Sequence, residues 1–455
     1  MLRYVTLITL QFAIFATLGL THLRSAEAVE DWPMWRGDAS RSAAVANSLP
    51  SEFKLLWKRN LGQRKQAWDD PLNLDLMTYD RVFEPIVVDG VLCVGFNDQD
   101  KVVAYDAATG EKKWTFYTEA PVRLPACGAD GKVYFCSDDG FLYCVQISDG
   151  SLQWKFRGAP NAQHALGNSR LTSAWPARGG PVLFDGNVYF AASIWPFMGT
   201  FLYSLNAKTG DVVWVNDGTG SQYIKQPHSA PSFAGVAPQG AMVATDDLLI
   251  VPGGRSVPAV FDRHTGELKY FEINAGGKGT GGSFVTADEF HYYVHTREKG
   301  TRAFNLKTGL KTAFTPNEPV LSDGLLYTAE TIEGRSVIRA YRANDEQNTE
   351  RTPIWEIGAG AADELILANN TLVAAAGKTV SIVNLPLKTV DDSTAILTAS
   401  FEVEALADDE SIARMLVANE TLFVVGTNGT VAAYGNPSAV TSPQRFASEV
   451  AVAVD

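Results

Sequence analysis

At 455 residues, 46% of them hydrophobic and 20% charged, the chain has a globular and not a disordered composition, enough for two or three ordinary domains or one large all-β domain. A net charge of −13 argues against nucleic acid and anionic membrane surfaces as main partners.

The first element reads as a leader and not as part of the fold. Arg3 supplies a positive start, Val5 to Leu20 is an apolar run, and Ala26-Glu27-Ala28 puts small residues at the −3 and −1 positions, so cleavage is expected after Ala28. The run is short for a membrane span. No cysteine follows it to carry a lipid anchor. The expected organisation is a signal peptide over 1–28, an N-terminal segment over 29–50, a folded body over 51–436 and a C-terminal tail over 437–455, in a periplasmic or secreted protein.

The body is built on two recurring phrases. The first is an apolar strand, a two-residue polar turn and a second apolar strand. Its turns fall at Asp89-Gly90, Asp130-Gly131, Asp185-Gly186, Asp246-Asp247, Asp288-Glu289, Asp323-Gly324, Asn369-Asn370 and Asn419-Glu420, about every 47 residues. Asp-Gly between apolar runs is a strong hairpin signal. The second phrase is AYDAATGEKKW (Ala104 to Trp114), which returns as SLNAKTGDVVW (Ser204 to Trp214) and VFDRHTGELKY (Val260 to Tyr270), with looser copies ending at Trp154 and Phe314. Each unit therefore reads as strands A, B, C and D, with D ending in an aromatic residue: Trp114, Trp154, Trp214, Tyr270, Phe314, Trp355 and Phe401. These rings are expected to fill the wedges between neighbouring units.

Eight four-stranded antiparallel units with no helical period predict an all-β, eight-bladed β-propeller, since radial packing leaves few open sheet edges. The eighth unit lacks a D strand of its own. FKLLWKRN (Phe53 to Asn60) supplies one, so the N-terminal strand is expected to close the last blade. Cys127, Cys136 and Cys144 lie in neighbouring strands whose pairing puts Cys127 and Cys144 opposite Tyr134; buried free thiols are expected there, as for Cys93.

Ala104-x-Asp106-x-x-Thr109-Gly110-x-x-x-Trp114 resembles the tryptophan-docking motif of pyrroloquinoline-quinone (PQQ) propeller repeats. Trp154, Gly210, Trp214, Asp262 and Gly266 occupy matching positions, and DWPMWRGDASRSA (Asp31 to Ala43) is similar to the start of many secreted bacterial members. The resemblance covers nearly all of the chain after the leader. It implies kinship with two kinds of protein, the quinoprotein alcohol dehydrogenases and the propeller lipoprotein that assists outer-membrane protein assembly. The docking motif itself is structural, and function has to be argued from a site.

The topology puts the short turns on one face of the ring and every long insertion on the other, where function is expected. Asp130 to Asp185 spans 55 residues and Asp185 to Asp246 spans 61. The insertions bring Arg123, Arg178, Lys225, His228, Arg255 and Lys278 toward the channel mouth, with Trp68, Trp175 and Trp195. Such a group could bind a planar or extended anion, and PQQ is a flat tricarboxylate. Replacing Arg178 and Arg255 by Ala is then expected to weaken an anionic ligand at little cost in stability.

Quinoprotein dehydrogenases, as the resemblance implies, hold Ca²⁺ beside the quinone and use an Asp as base. They often carry an adjacent Cys pair, and some a c-type haem. Here there is no adjacent Cys pair and no C-x-x-C-H, and Asp98 and Asp100 read as solvated turn residues. Gly277-x-Gly279-x-x-Gly282 leads into a strand where a dinucleotide site needs a helix. His291 and His295, four apart on a strand, lie roughly 13 Å from each other, too far for one metal. No catalytic residue and no metal ligand is therefore assigned. The expected function is a non-catalytic binding or assembly scaffold, a monomer presenting its loop-rich face to a protein, peptide or polymer outside the cytoplasm. The alternative is a PQQ-dependent oxidoreductase with Ca²⁺.

Overall fold

Dipeptides such as Asp-Gly close tight hairpins because both of their residues take the left-handed conformation. Asp89 and Gly90 lie at φ 48° and 71°, Asp130 and Gly131 at 51° and 72°, and Asp185 and Gly186 at 50° and 71°. The computed structural model describes residues 30–66, 80–167, 170–220, 222–225, 230–254, 256–297, 300–315, 317–344, 352–358, 362–385 and 396–438. All eight turns named above join strands A and B of a blade.

Blade 1 sets the pattern: A is Ile86–Val88, B Val91–Phe96, C Lys101–Asp106 and D Lys112–Tyr117, antiparallel throughout. The A strand is buried at every position, whereas in D only Trp114 is buried and the rest are exposed or half-buried, as befits a sheet running from the axis to the rim. Seven more such sheets complete an all-β, eight-bladed propeller. In blade 8, Ile412–Ala418, Thr421–Gly426 and Thr430–Gly435 are joined by Lys54–Asn60, which pairs antiparallel with the C strand (Trp57 opposite Ala433, Asn60 opposite Thr430). The first strand of the ring thus completes its last blade.

The repeated phrase earns its form at the blade-to-blade contacts. Asp106 Oδ1 accepts from Ala108 N and Thr109 N, fixing the turn, while Gly110 at φ 69° lets the Trp57 ring lie against its backbone: a Cβ there would meet that ring at 2.6 Å. Trp57 Nε1 donates to Ala107 O (2.9 Å), Trp114 Nε1 to Ile147 O (2.7 Å) and Trp214 Nε1 to Arg263 O (3.0 Å). Each indole therefore docks on the C–D turn of the next blade, at Gly110, Gly150 and Gly266, and Trp154 lies against Gly210. Asp262 repeats the role of Asp106, accepting from His264 N and Thr265 N. Phe314 departs from expectation. The docking ring follows its turn glycine by four positions, which in blade 5 is the buried Ala313. Phe314 comes one residue later on the opposite side of the strand, 47% exposed, under the Arg302 guanidinium.

Tyr134 pairs with both Cys127 and Cys144, and all four thiols are free and buried, which pushes their ionisation up.

The stretch beginning at Glu30 does what no periodicity announced: it fills the axis of the ring. Trp32 N and O pair with Val87 in blade 1, Pro33 O accepts from Gly128 N in blade 2, and Ala39 O accepts from Ala244 N in blade 4. Ser40, Ser42 and Ala43 carbonyls accept from Ala287 N, Leu321 N and Leu367 N in blades 5, 6 and 7. Arg41 donates to Pro181 O, Met242 O and Trp35 O, bringing in blade 3, and Asn47 Nδ2 donates to Val417 O in blade 8. One segment thus touches all eight inner edges. Its non-glycine residues at φ 57° (Arg36), 59° (Arg41) and 59° (Ala43) are held by these bonds. The contacts cluster at the A–B turn end, so the channel is plugged from the turn face.

Candidate functional site at the loop-rich mouth

The B–C loops and the blade-to-blade connections meet at the other end of the ring, where charged side chains are buried in two networks. The first centres on Asp138, in the B–C turn of blade 2. Arg123, from the connection between blades 1 and 2, donates through Nε to Asp138 Oδ2 at 2.5 Å and through Nη1 to Asp80 Oδ2 at 2.6 Å. Arg178, leading into blade 3, donates to both oxygens of Asp138 at 2.9 and 2.8 Å. Arg64 lies against Asp80 at 3.7 Å and donates to Gly95 O and Arg123 O. Burial alone would raise Asp138, but the two guanidiniums outweigh it and hold the carboxyl below its ordinary range. The structure brings Arg123 and Arg178 together, on a buried carboxylate.

Trp175 is buried against Ala159, Ala192 and Met198 and donates to Met198 O, so it packs the insertion down. Trp195 is 51% exposed beside Phe197, and Lys225 is exposed on the hairpin Gln222–Lys225 and Pro231–Ala234. Lys278 falls in the 3-10 turn Gly277–Gly279, between blades 4 and 5; its side chain, with Trp68, His228, Arg255 and residues 1–28, lies outside the described residues. Thr280–Ala287 directly after that turn is a strand, as expected of the glycine run.

The second network was not singled out from the sequence. Arg414, in the A strand of blade 8, reaches Glu84 at 2.9 Å and Glu364 at 3.4 Å, and Arg36 of the plug reaches Glu318 at 3.0 Å. His295 Nε2 sits 2.9 Å from Glu318 Oε1. Despite its burial, Glu318 is held well below its ordinary range by His295 and the nearby arginines. Glu364 is pushed up to about 8, by burial first, with the Glu318 and Glu84 carboxylates adding to it against Arg414 and Arg36. A signal did exist: IARMLVA (Ile412 to Ala418) and ELILA (Glu364 to Ala368) each place one charge in an otherwise apolar A strand.

The folded protein keeps a proton on Glu364 that the unfolded chain gives up near 4.5, so this group's effect is a stability that declines as pH rises toward about 8. Urea midpoints of the wild type should drop across that window. Glu364→Gln should flatten the profile in part, leaving what comes from the other carboxyls that burial raises, among them Glu84, Asp31, Asp38 and Asp139.

The fold defines the class, a PQQ-like repeat propeller. A family model described as outer membrane protein assembly factor BamB matches residues 54–309, more than half of the chain, and the protein belongs to that family. It is also 30% identical over 171 residues to the dehydrogenase subunit of a quinone alcohol dehydrogenase from Gluconacetobacter polyoxogenes, and 28% over 167 residues to that of Gluconobacter oxydans. These matches cover 34% of this chain and only 22% and 21% of the relatives, so the chain spans about a fifth of their length. The quinohemoprotein alcohol dehydrogenase of Comamonas testosteroni superposes with a TM-score of 0.57 at 12% identity, over 91% of this chain and 82% of that one. The computationally designed Ika8 protein gives 0.51 at 12% identity, over 82% and 100%. At such identity the likeness is one of fold.

The described residues of the mouth offer a poor fit to a quinone tricarboxylate. Among the described residues, five of its guanidiniums already face carboxylates: Arg36 on Glu318, Arg414 on Glu84 and Glu364, Arg123 on Asp80 and Asp138, Arg178 on Asp138, and Arg170 on Asp100. No group of three His, Cys, Asp or Glu side chains able to hold a metal ion occurs among the described residues.

Proposed function

We infer that the protein is an exported binding scaffold that engages a protein partner outside the cytoplasm through its loop-rich face. The observation that carries this is the two-stranded ribbon His164–Gly167 with Arg170–Ser173, which stands outside the eight blades and pairs Leu166 with Leu171 while leaving them 81% and 60% exposed. A lone ribbon of this kind is marginal and offers strand edges and apolar side chains to a partner. Phe197 (74% exposed), Trp195 (51%) and Tyr223 (65%) are further exposed apolar side chains on the other insertions that flank blade 3. Large apolar side chains exposed together on loop insertions are what an interaction surface needs. Of the described cations near this surface, Arg123, Arg170 and Arg178 are paired with carboxylates while Lys225 is exposed, and the pairing favours a partner held by apolar contact over a small anion.

Leu171→Glu with Phe197→Glu should abolish capture of the partner in cross-linking from an extracytoplasmic fraction, and should move stability by no more than about 0.5 kcal/mol because both side chains are exposed. Capture that survives the double substitution would sink the reading. A second reading, PQQ-dependent oxidation, is favoured by the 171-residue match to quinone alcohol dehydrogenase subunits. The charge pairing of the mouth counts against it.

A further inference from the structure

Every blade ends in a D strand whose outer edge lies along the wall of the ring. Such an edge presents unpaired N–H and C=O groups to any passing strand, and proteins usually guard it with charged side chains. Seven of the eight D strands are guarded in this way, by Lys58 in blade 8, Lys113 in blade 1, Lys155 in blade 2, Lys269 in blade 4, Lys311 in blade 5, Glu356 in blade 6 and Glu402 in blade 7. Blade 3 is the exception. Its D strand, Val212–Asn216, reads Val-Val-Trp-Val-Asn and holds no charge.

The repeat makes the difference specific to single positions. The residue before the docking indole is Lys113 in blade 1 but Val213 in blade 3, and the residue after it is Lys58 in blade 8 and Lys155 in blade 2 but Val215 in blade 3. Val212, Val213 and Val215 are 47%, 53% and 45% exposed. The strand is also held firmly from within. It pairs on its inner side with Phe201–Asn206, Trp214 Nε1 donates to Arg263 O at 3.0 Å, and Asn216 Nδ2 donates to Gly266 O at 2.7 Å. Among the described residues no strand pairs with its outer side. A fixed, β-branched, uncharged edge is a template for strand addition that costs little to order.

Charge at the two ends says what kind of strand fits. Asp211 precedes the strand and Asp217 follows it, both exposed, about 20 Å apart at strand rise. A second copy paired antiparallel about Trp214 would set Asp211 against Asp217 at both ends, which opposes self-association. We propose that the outer edge of blade 3 accepts an extended segment of a partner protein, β-branched or apolar at its centre and with a basic residue at each end to meet Asp211 and Asp217. This contact lies on the outer wall and is additional to the loop-face surface.

The test uses the full chain and a synthetic peptide, Lys-Thr-Val-Thr-Val-Thr-Lys with blocked ends. Calorimetry measures its binding, and hydrogen exchange read by mass spectrometry locates it. The dissociation constant should lie below about 1 mM, and exchange should slow over Val212–Asn216 and in no other D strand. Two control peptides should fail to bind, one with Glu at both ends and one with Pro at the centre, which removes a ladder donor. Val213→Lys with Val215→Lys should weaken binding at least about tenfold and leave the urea midpoint unchanged, since lysine already stands at those places in neighbouring blades. Leu171→Glu with Phe197→Glu should leave the peptide bound, which separates this edge from the loop face. A wild-type constant above about 1 mM, equal binding of either control, or undiminished binding by the double lysine variant would overturn the proposal. Loss of the peptide in the loop-face variant would place it on the loops and overturn it too.

Discussion

Asp138→Ala is expected to cost about 3–5 kcal/mol, because it removes the buried carboxylate that two buried guanidiniums share and leaves Arg123 to Asp80. Asp138 is 1% exposed, and Arg123 and Arg178, both 4% exposed, each donate to it. Urea unfolding followed by tryptophan fluorescence would measure the loss. A change below about 1 kcal/mol would show that water, as for surface pairs, or the remaining Asp80 compensates the two cations. Asp138→Asn should fall between, since the amide keeps one acceptor oxygen but no charge. Acid should act like the substitution: a carboxyl held below its ordinary range lends stability at neutral pH, lost as pH falls through its lowered value. The same geometry corrects the expectation that Arg178 could be removed at little cost in stability. Arg178→Ala would strip Asp138 of two hydrogen bonds in a buried site.

Arg41→Ala is expected to be comparably severe, costing at least about 3 kcal/mol through three carbonyls left short of a donor. Arg41 is 1% exposed and donates to Pro181 O (3.0 Å), Met242 O (3.0 Å) and Trp35 O (3.2 Å), joining the plug to two blades. Its fork serves several acceptors at once, so Arg41→Lys, with one ammonium, should recover only part of the loss. Limited proteolysis supplies a second readout. The segment from Glu30 to Asn47 should become cleavable in Arg41→Ala while the blades resist. If it stays protected, the backbone bonds to Ala244, Ala287, Leu321 and Leu367 hold the plug without the guanidinium.

The ring was legible in the sequence because its signals are local. Asp-Gly turns need left-handed residues, and the docking glycine needs a bare Cα facing an indole, so both are written in short phrases such as Asp106 to Trp114. Blade 8 could be read from a missing D strand and a spare one around Trp57. Phe314 was misplaced because a one-residue shift changes the side of the strand without changing composition. The plug carries no period at all: its bonds run mostly through the backbone, and those from Arg41 reach residues 140 and 201 positions away. The mouth networks were half visible. Arg123 and Arg178 were found as cations on the right loops, but their shared partner Asp138 looked like any turn aspartate in Ser137-Asp138-Asp139-Gly140. Arg414, Glu364 and Glu318 come together only when blades 6, 7 and 8 are set side by side.

Glu30 and Asn419 bond to each other across 389 positions. A ribosome makes the early partner first, so the Trp57 strand has no sheet to join, and Glu30 no Asn419 to bond, until the final blade exists. The nascent chain must carry the earlier blades as an unclosed ring for nearly the whole of its synthesis, and contacts of such long separation form slowly. A chain stopped short of Thr430 should therefore behave as an open arc with sticky edges, a target for chaperones and proteases, and not as a slightly smaller ring.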